Sequence, residues 1–133
     1  MQTNIDPEKT FDKRLGVEHG EVSPERTSAT MTVHDGVLTE DGVVHGGVWA
    51  SIAEGLASIG TFVGVAQDGF SASGLSNDTR TLAEVRSGKV EVVARRRDQK
   101  PDLWTWVVEA TTEDGTLCAF STVLIAVRPM RQS

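Results

Sequence analysis

The chain has 133 residues, 38% hydrophobic and 24% charged, with 19 acidic against 13 basic residues and a formal net charge of −6. That length is one domain with a core of its own, and the acidic balance, 5% aromatic content and lack of tyrosine argue against a nucleic-acid-binding surface. A single cysteine, Cys118, excludes an internal disulfide and fits a reducing, cytoplasmic setting, while the absence of 18 consecutive apolar residues predicts no membrane span.

The opening MQTNIDPEKTFDKRL has acidic residues and no apolar run of the kind an export signal needs. Within it, residues 7–15 read as a short amphipathic helix, with Phe11 and Leu15 on one side and Gly16 as its stop. From Val22 to His34, Thr27, Ala29, Met31 and Val33 alternate with Ser28, Thr30 and Thr32, the pattern of a strand with one wetter face. Asp35-Gly36 ends it, and a loop from Leu38 to Val44 follows.

The stretch GVVHGGVWASIAEGLASIGTFVGV, Gly42 to Val65, is where folding and chemical signals coincide. It predicts a helix over about residues 47–65, in which Val48, Trp49, Ile52, Ala53, Leu56, Ala57, Ile59, Phe62 and Val63 cover most of the surface, so burial nearly all round is expected. Ser51, Glu54, Ser58 and Thr61 are spaced three, four and three apart, which confines the polar side chains to one narrow strip. His45-Gly46-Gly47 supplies a turn that needs no side-chain clearance, followed by the free N–H groups with which a helix begins. Donors for a carbonyl oxygen beside a carboxylate are what acyl chemistry requires.

Beyond the helix, Asp68-Gly69 marks a turn and Phe70 to Leu82 reads as extended. Lys89 to Arg97 is a strand in which Val90, Val92 and Ala94 share one face, and Pro101-Asp102 breaks it. Trp104, Trp106, Val108 and Ala110 alternate with Thr105, Val107, Glu109 and Thr111, and Asp114-Gly115 joins that run as a hairpin to the nearly continuous apolar stretch Leu117 to Val127, which Pro129 ends. The order gives an α+β fold in which an antiparallel sheet curls around one long helix. His19, His34 and Cys118 show no ligand-pair spacing, so no metal site is expected. Arg95-Arg96-Arg97 with Lys100 is either a solvated strand end or a site for a phosphate-bearing ligand, and Trp104 with Trp106 reads as core or subunit interface.

The run His45-Gly46-Gly47-Val48-Trp49-Ala50-Ser51-Ile52-Ala53-Glu54 resembles the hotdog-fold acyl-CoA thioesterases, in which an HGG turn opens the central helix and an acidic residue follows nine positions after the histidine. Gly74-Leu75, Val85-Arg86-Ser87-Gly88-Lys89-Val90, the Trp106 strand, Asp114-Gly115-Thr116-Leu117 and Ser121-Thr122 follow in that family's order, so the likeness spans roughly Val22 to Val127. The branch it looks closest to carries Glu at the acidic position and includes 4-hydroxybenzoyl-CoA, dihydroxynaphthoyl-CoA and enterobactin-proofreading thioesterases.

The resemblance implies hydrolysis of an acyl-CoA, with an aromatic acyl group, by a homodimer or homotetramer whose active site lies at the subunit interface, with no cofactor and no metal. It implies that the Gly46 N–H polarises the thioester carbonyl and that Glu54 is nucleophile or general base, with His45 and Ser58 assisting. It places Gly47, Thr39 and Thr81 against substrate, Thr39 and Thr81 standing where relatives carry Gln and His. From the residues themselves, the basic cluster Arg95, Arg96 and Arg97, with Arg128 and Arg131 near the C-terminus, is our candidate for the CoA phosphates. A non-catalytic acyl-CoA-binding or assembly module, or a thioesterase acting on an acyl carrier protein, is the alternative; a hotdog hydratase fits the HGG-to-Glu arrangement less well.

Overall fold

The computed structural model describes residues 6–131. Met1 to Ile5, part of the stretch read as lacking an export signal, lie outside the described residues. The strands are β1 (Val17–Val22), β2 (Arg26–Thr32), β3 (Phe70–Thr81), β4 (Lys89–Gln99), β5 (Leu103–Thr112) and β6 (Leu117–Pro129), and the helices are α1 (Phe11–Leu15) and α2 (Gly46–Val65). All strands pair antiparallel in one sheet of order β1-β2-β4-β5-β6-β3. The 20-residue α2 packs along one face of it, which is the hotdog arrangement the sequence led us to expect.

The core forms where the period of each element delivers apolar side chains to the same layer. In β5, Trp104, Trp106, Val108 and Ala110 are buried and their neighbours are not, and Val90, Val92 and Ala94 of β4 and Val123 and Ile125 of β6 meet them. From α2 come Val48, Trp49, Ile52, Ala53, Leu56 and Ala57. The Gly46–Asp68 helical stretch is long and apolar enough to cross a membrane, but half of its most apolar part is buried in the core against the sheet.

The glycines that weaken α2 as an isolated helix are the ones that let the sheet approach. An ideal Cβ on Gly60 would lie 2.4 Å from the Trp106 ring, and one on Gly64 would lie 2.5 Å from that of Trp104. The Trp106 indole N–H donates to Thr61 Oγ1 at 2.9 Å, and the Thr61 hydroxyl donates to the Ala57 carbonyl at 2.9 Å, so the polar tip of a fully buried tryptophan is satisfied inside the core. Both tryptophans therefore belong to the core, their rings stacked at 6.3 Å. Cys118 is buried as well, its thiol directed at the Ala110 carbonyl and its pKa pushed up by desolvation, the opposite of what a nucleophilic cysteine requires.

Three expectations need correcting. The central helix is not buried all round: Phe62 and Val63 are 44% and 40% exposed, so only one side meets the sheet. The strand expected from Val22 to His34 begins at Arg26, because Ser23 folds back to form a turn, its Oγ accepting from the Arg26 N–H at 3.0 Å. Ahead of that turn lies the unexpected β1, whose sequence VEHGEV has no inward-facing apolar series. The N-terminal helix is likewise split: a 3-10 turn, Pro7–Lys9, is capped by the Asp6 side chain, and Thr10, in an extended conformation, separates it from α1.

Candidate active site

The N-terminus of α2 is fixed before the helix starts. The Val44 N–H donates to the Val85 carbonyl at 2.8 Å and the His45 N–H to the Val37 carbonyl at 2.9 Å, which tie the loop to both neighbouring segments. His45 is the N-cap, and its Nδ1 accepts the Gly47 N–H at 2.9 Å. Its ring thus orders the turn and takes one of the helix's free donors. The Gly46 N–H has no acceptor among the described residues and sits at the positive end of a 20-residue helix. Thr81, at the end of β3, closes over this turn, since an ideal Cβ on Gly46 would come within 3.1 Å of Thr81 Oγ1. The first helical turn and Thr81 are therefore neighbours.

Glu54 lies further along α2, exposed, against β3. An ideal Cβ on Gly74 would lie 2.8 Å from the Glu54 Cδ and 3.0 and 3.1 Å from its oxygens, so the carboxylate rests on bare β3 backbone. Ala50, Ser51 and Asn77 complete a hollow of about 280 Å³ around it. Asn77 was not anticipated. Its Nδ2 donates to the Ala50 carbonyl at 2.9 Å, its Oδ1 accepts from the Thr79 hydroxyl at 2.7 Å, and Thr79 in turn lies 2.7 Å from the Ser121 hydroxyl, which supplies the remaining proton. This chain runs from the sheet to the turn of α2 before Glu54 and holds the helix against β3. If Glu54 is the catalytic carboxylate that the resemblance implies, Gly74→Ala is expected to lower kcat/KM for thioester hydrolysis about 100-fold. Melting should stay near wild type, because the methyl meets only the movable end of a glutamate; unchanged kinetics in a thiol-release assay would show that the position of this carboxylate does not matter.

Other polar residues on the strip part company. Ser51 donates to the Gly47 carbonyl at 2.8 Å, Ser58 is half-buried one turn past Glu54, and Thr61 belongs to the core. The Thr39 hydroxyl is the one buried side-chain oxygen without a partner among the described residues. The basic cluster lies elsewhere. Arg96 stacks 5.0 Å over Trp104 and donates to the Pro24 carbonyl at 3.2 Å, and both of these residues pack on Gly64. Arg95 pairs with Glu109 at 3.6 Å, and Arg97 is exposed at a bulge in β4 with no ion pair among the described residues. Gly64 is 18 residues beyond Gly46, so at 1.5 Å per residue the cluster sits about 27 Å down the helix from the free N–H. Among the described residues there is no cluster of metal-ligating side chains.

No family model matches the chain. Relatives by sequence do: a Mycobacterium tuberculosis protein named "Putative esterase Rv1847" is 31% identical over 107 residues, which cover 77% of this chain and 76% of that protein. The "Putative esterase" of Haemophilus influenzae is 30% identical over 113 residues, covering 85% and 81%. The chain belongs to this family of hotdog-fold esterases and thioesterases. Solved structures agree: that of the mycobacterial protein superposes with a TM-score of 0.87 at 29% identity, covering 92% of this chain and 98% of its own. Thioesterase HI1161 of Haemophilus influenzae gives 0.86 at 27% identity, covering 93% and 86%. The protein is accordingly a thioester hydrolase.

Proposed function

We propose that the protein hydrolyses an aromatic acyl-CoA to the free acid and CoA, at sites shared by two subunits of one domain each. The carrying observation is the unpartnered Gly46 N–H at the start of α2 together with an exposed carboxylate, Glu54, on the same helix. The N–H receives the thioester oxygen and stabilises the negative charge that develops there, a contribution of about 2.7–4 kcal/mol for one such donor. Glu54 attacks the carbonyl to form an anhydride that water then cleaves, or removes a proton from an attacking water. His45 keeps the turn in place through its cap, and Ser58 and Thr81 offer hydroxyls on either side.

Distance supports a site shared by two subunits. Gly46 and Glu54 are eight residues apart, about 12 Å along the helix axis. A glutamate side chain leans toward the helix N-terminus but closes only part of that gap, so one carbonyl does not touch both groups of one chain. A second copy, related by a two-fold axis and pairing along the open edge of β3, brings the Gly46 end of one α2 to Glu54 of the other. The edge invites this, being 12 residues long and carrying exposed Phe70 and Leu75. A tetramer of two such pairs is compatible with that geometry. For the CoA phosphates we propose Arg95 and Arg97, the two members of the cluster that keep their heads in solvent; their distance from Gly46 means that the second subunit supplies them. The buried, unpaired Cys118 fits the reducing compartment we propose for it.

The test is release of free thiol from benzoyl-, hydroxybenzoyl-, dihydroxynaphthoyl-, short-chain and long-chain acyl-CoAs by purified protein. We expect turnover of the aromatic class at kcat/KM of at least about 10⁴ M⁻¹s⁻¹. Silence across the panel from a folded protein that still binds CoA would leave the non-catalytic module or an acyl-carrier-protein substrate.

A further inference from the structure

A groove of about 430 Å³ opens beside the first turn of α2. Phe11 and Leu15 of α1, Val37 and Leu38 of the preceding loop and Val48 of α2 form its walls, and no lysine, arginine, aspartate or glutamate lines it. Leu15, Val37 and Val48 are core residues, but Phe11 is 61% exposed, the most exposed large hydrophobic side chain among the described residues. An aromatic ring left in water at the rim of an apolar groove calls for something to cover it. Nor is Phe11 carried by a loose arm. Gly16, in the left-handed region at φ 78°, ends α1; His34 donates from Nε2 to the Leu15 carbonyl at 2.9 Å while its Nδ1 accepts the Gly36 N–H at 3.2 Å. On the other side Asp12 Oδ1 comes within 3.9 Å of an ideal Cβ on Gly55, so α1 lies close over α2.

His45 and Gly47, the residues on either side of Gly46, also line the groove. A thioester whose oxygen accepts from the Gly46 N–H therefore has one substituent of its carbonyl carbon next to it. Of the two substituents, the pantetheine arm is rich in amides and leads to phosphates, whereas these walls offer it no ionic partner. We infer that the groove binds the hydrocarbon part of the acyl group, with an aromatic ring against Phe11, and that Phe11 sets the preference for it. This rests on the hydrolase reading above.

Thioether analogues separate the two ideas, because they bind without reacting. Titration calorimetry would compare S-methyl-CoA, S-benzyl-CoA and S-carboxymethyl-CoA, the S-benzyl methylene standing where the carbonyl carbon would be. Wild type should bind S-benzyl-CoA about tenfold tighter than S-methyl-CoA and gain nothing from the charged group. Phe11→Ala should reduce that preference to within about threefold while leaving the S-methyl-CoA affinity and melting temperature in place, and Phe11→Leu should fall between. No preference in wild type, or equal weakening of all three ligands in Phe11→Ala, would overturn the inference. Intact preference in a protein that releases no thiol from any acyl-CoA would keep the groove and remove hydrolysis.

Discussion

Glu54→Ala is expected to lower kcat/KM for thiol release by about 10²–10⁴, the range a positioned general base or nucleophile supplies, with melting within a few degrees of wild type. The kinetic loss follows from the hollow beside β3: Asn77 there already bonds the helix backbone, and no second carboxylate lines it. The thermal tolerance follows from exposure, since Glu54 makes no ion pair among the described residues and alanine is the better helix former. Glu54→Gln sharpens the experiment. It keeps the shape that rests on Gly74 but can neither take a proton from water nor attack a carbonyl, so it should lose as much as alanine does. If glutamine retained most of the rate while alanine did not, Glu54 would be a packing or binding residue. If both retained it, the catalytic carboxylate would be elsewhere.

Much of this arrangement could be read from the residues, for a physical reason that differs from one element to the next. The central helix announced itself because its apolar density, its glycines and the His45-Gly46-Gly47 turn all act within 24 consecutive residues. The β5–β6 hairpin was visible because Trp104, Trp106, Val108 and Ala110 recur at every second position and Asp114-Gly115 is a turn by composition alone. Asn77 was hidden by the bulge at Leu75. Up to Gly74 the inward series of β3 is Ala72, Gly74; past the bulge it continues as Asn77, Thr79, Thr81, facing the buried Val123, Ser121 and Ala119. An unbroken alternation would have turned Ser76, Asp78 and Arg80 inward instead, and no local signal in Ser-Gly-Leu-Ser-Asn announces the shift. Thr61 misled in the opposite sense. It shares the polar strip with Glu54 by helical spacing, yet it is fully buried, because its hydroxyl is the acceptor that the Trp106 N–H needs, and a partner 45 residues away leaves no trace in the local pattern. β1 escaped for want of contrast: an almost wholly exposed edge strand with charged residues buries too little to be periodic.

The shared site makes a stronger claim than loss of activity in single variants, because it predicts recovery. Gly46→Pro removes the N–H that should hold the thioester oxygen, yet proline is favoured at the first helical position, and the preceding His45 already has the extended ψ of 134° that proline demands. That variant should fold, assemble and lose about 10²–10³ in kcat. Glu54→Ala homodimers have the oxygen site without the carboxylate, and Gly46→Pro homodimers the reverse. When the two are unfolded together and refolded as an equal mixture, half the dimers contain one chain of each kind. If Gly46 and Glu54 act across the interface, every mixed dimer has one site with both groups and one with neither, so the mixture should regain about a quarter of wild-type activity. If they act within one chain, no site in any dimer is complete and mixing restores nothing. Light scattering must show dimers, or pairs of dimers, in all three samples, and a monomer would end the argument before the assay. Recovery near a quarter would also explain why one helix separates its oxygen site from its carboxylate by about 12 Å: the second copy of the same helix, running the other way, closes that distance.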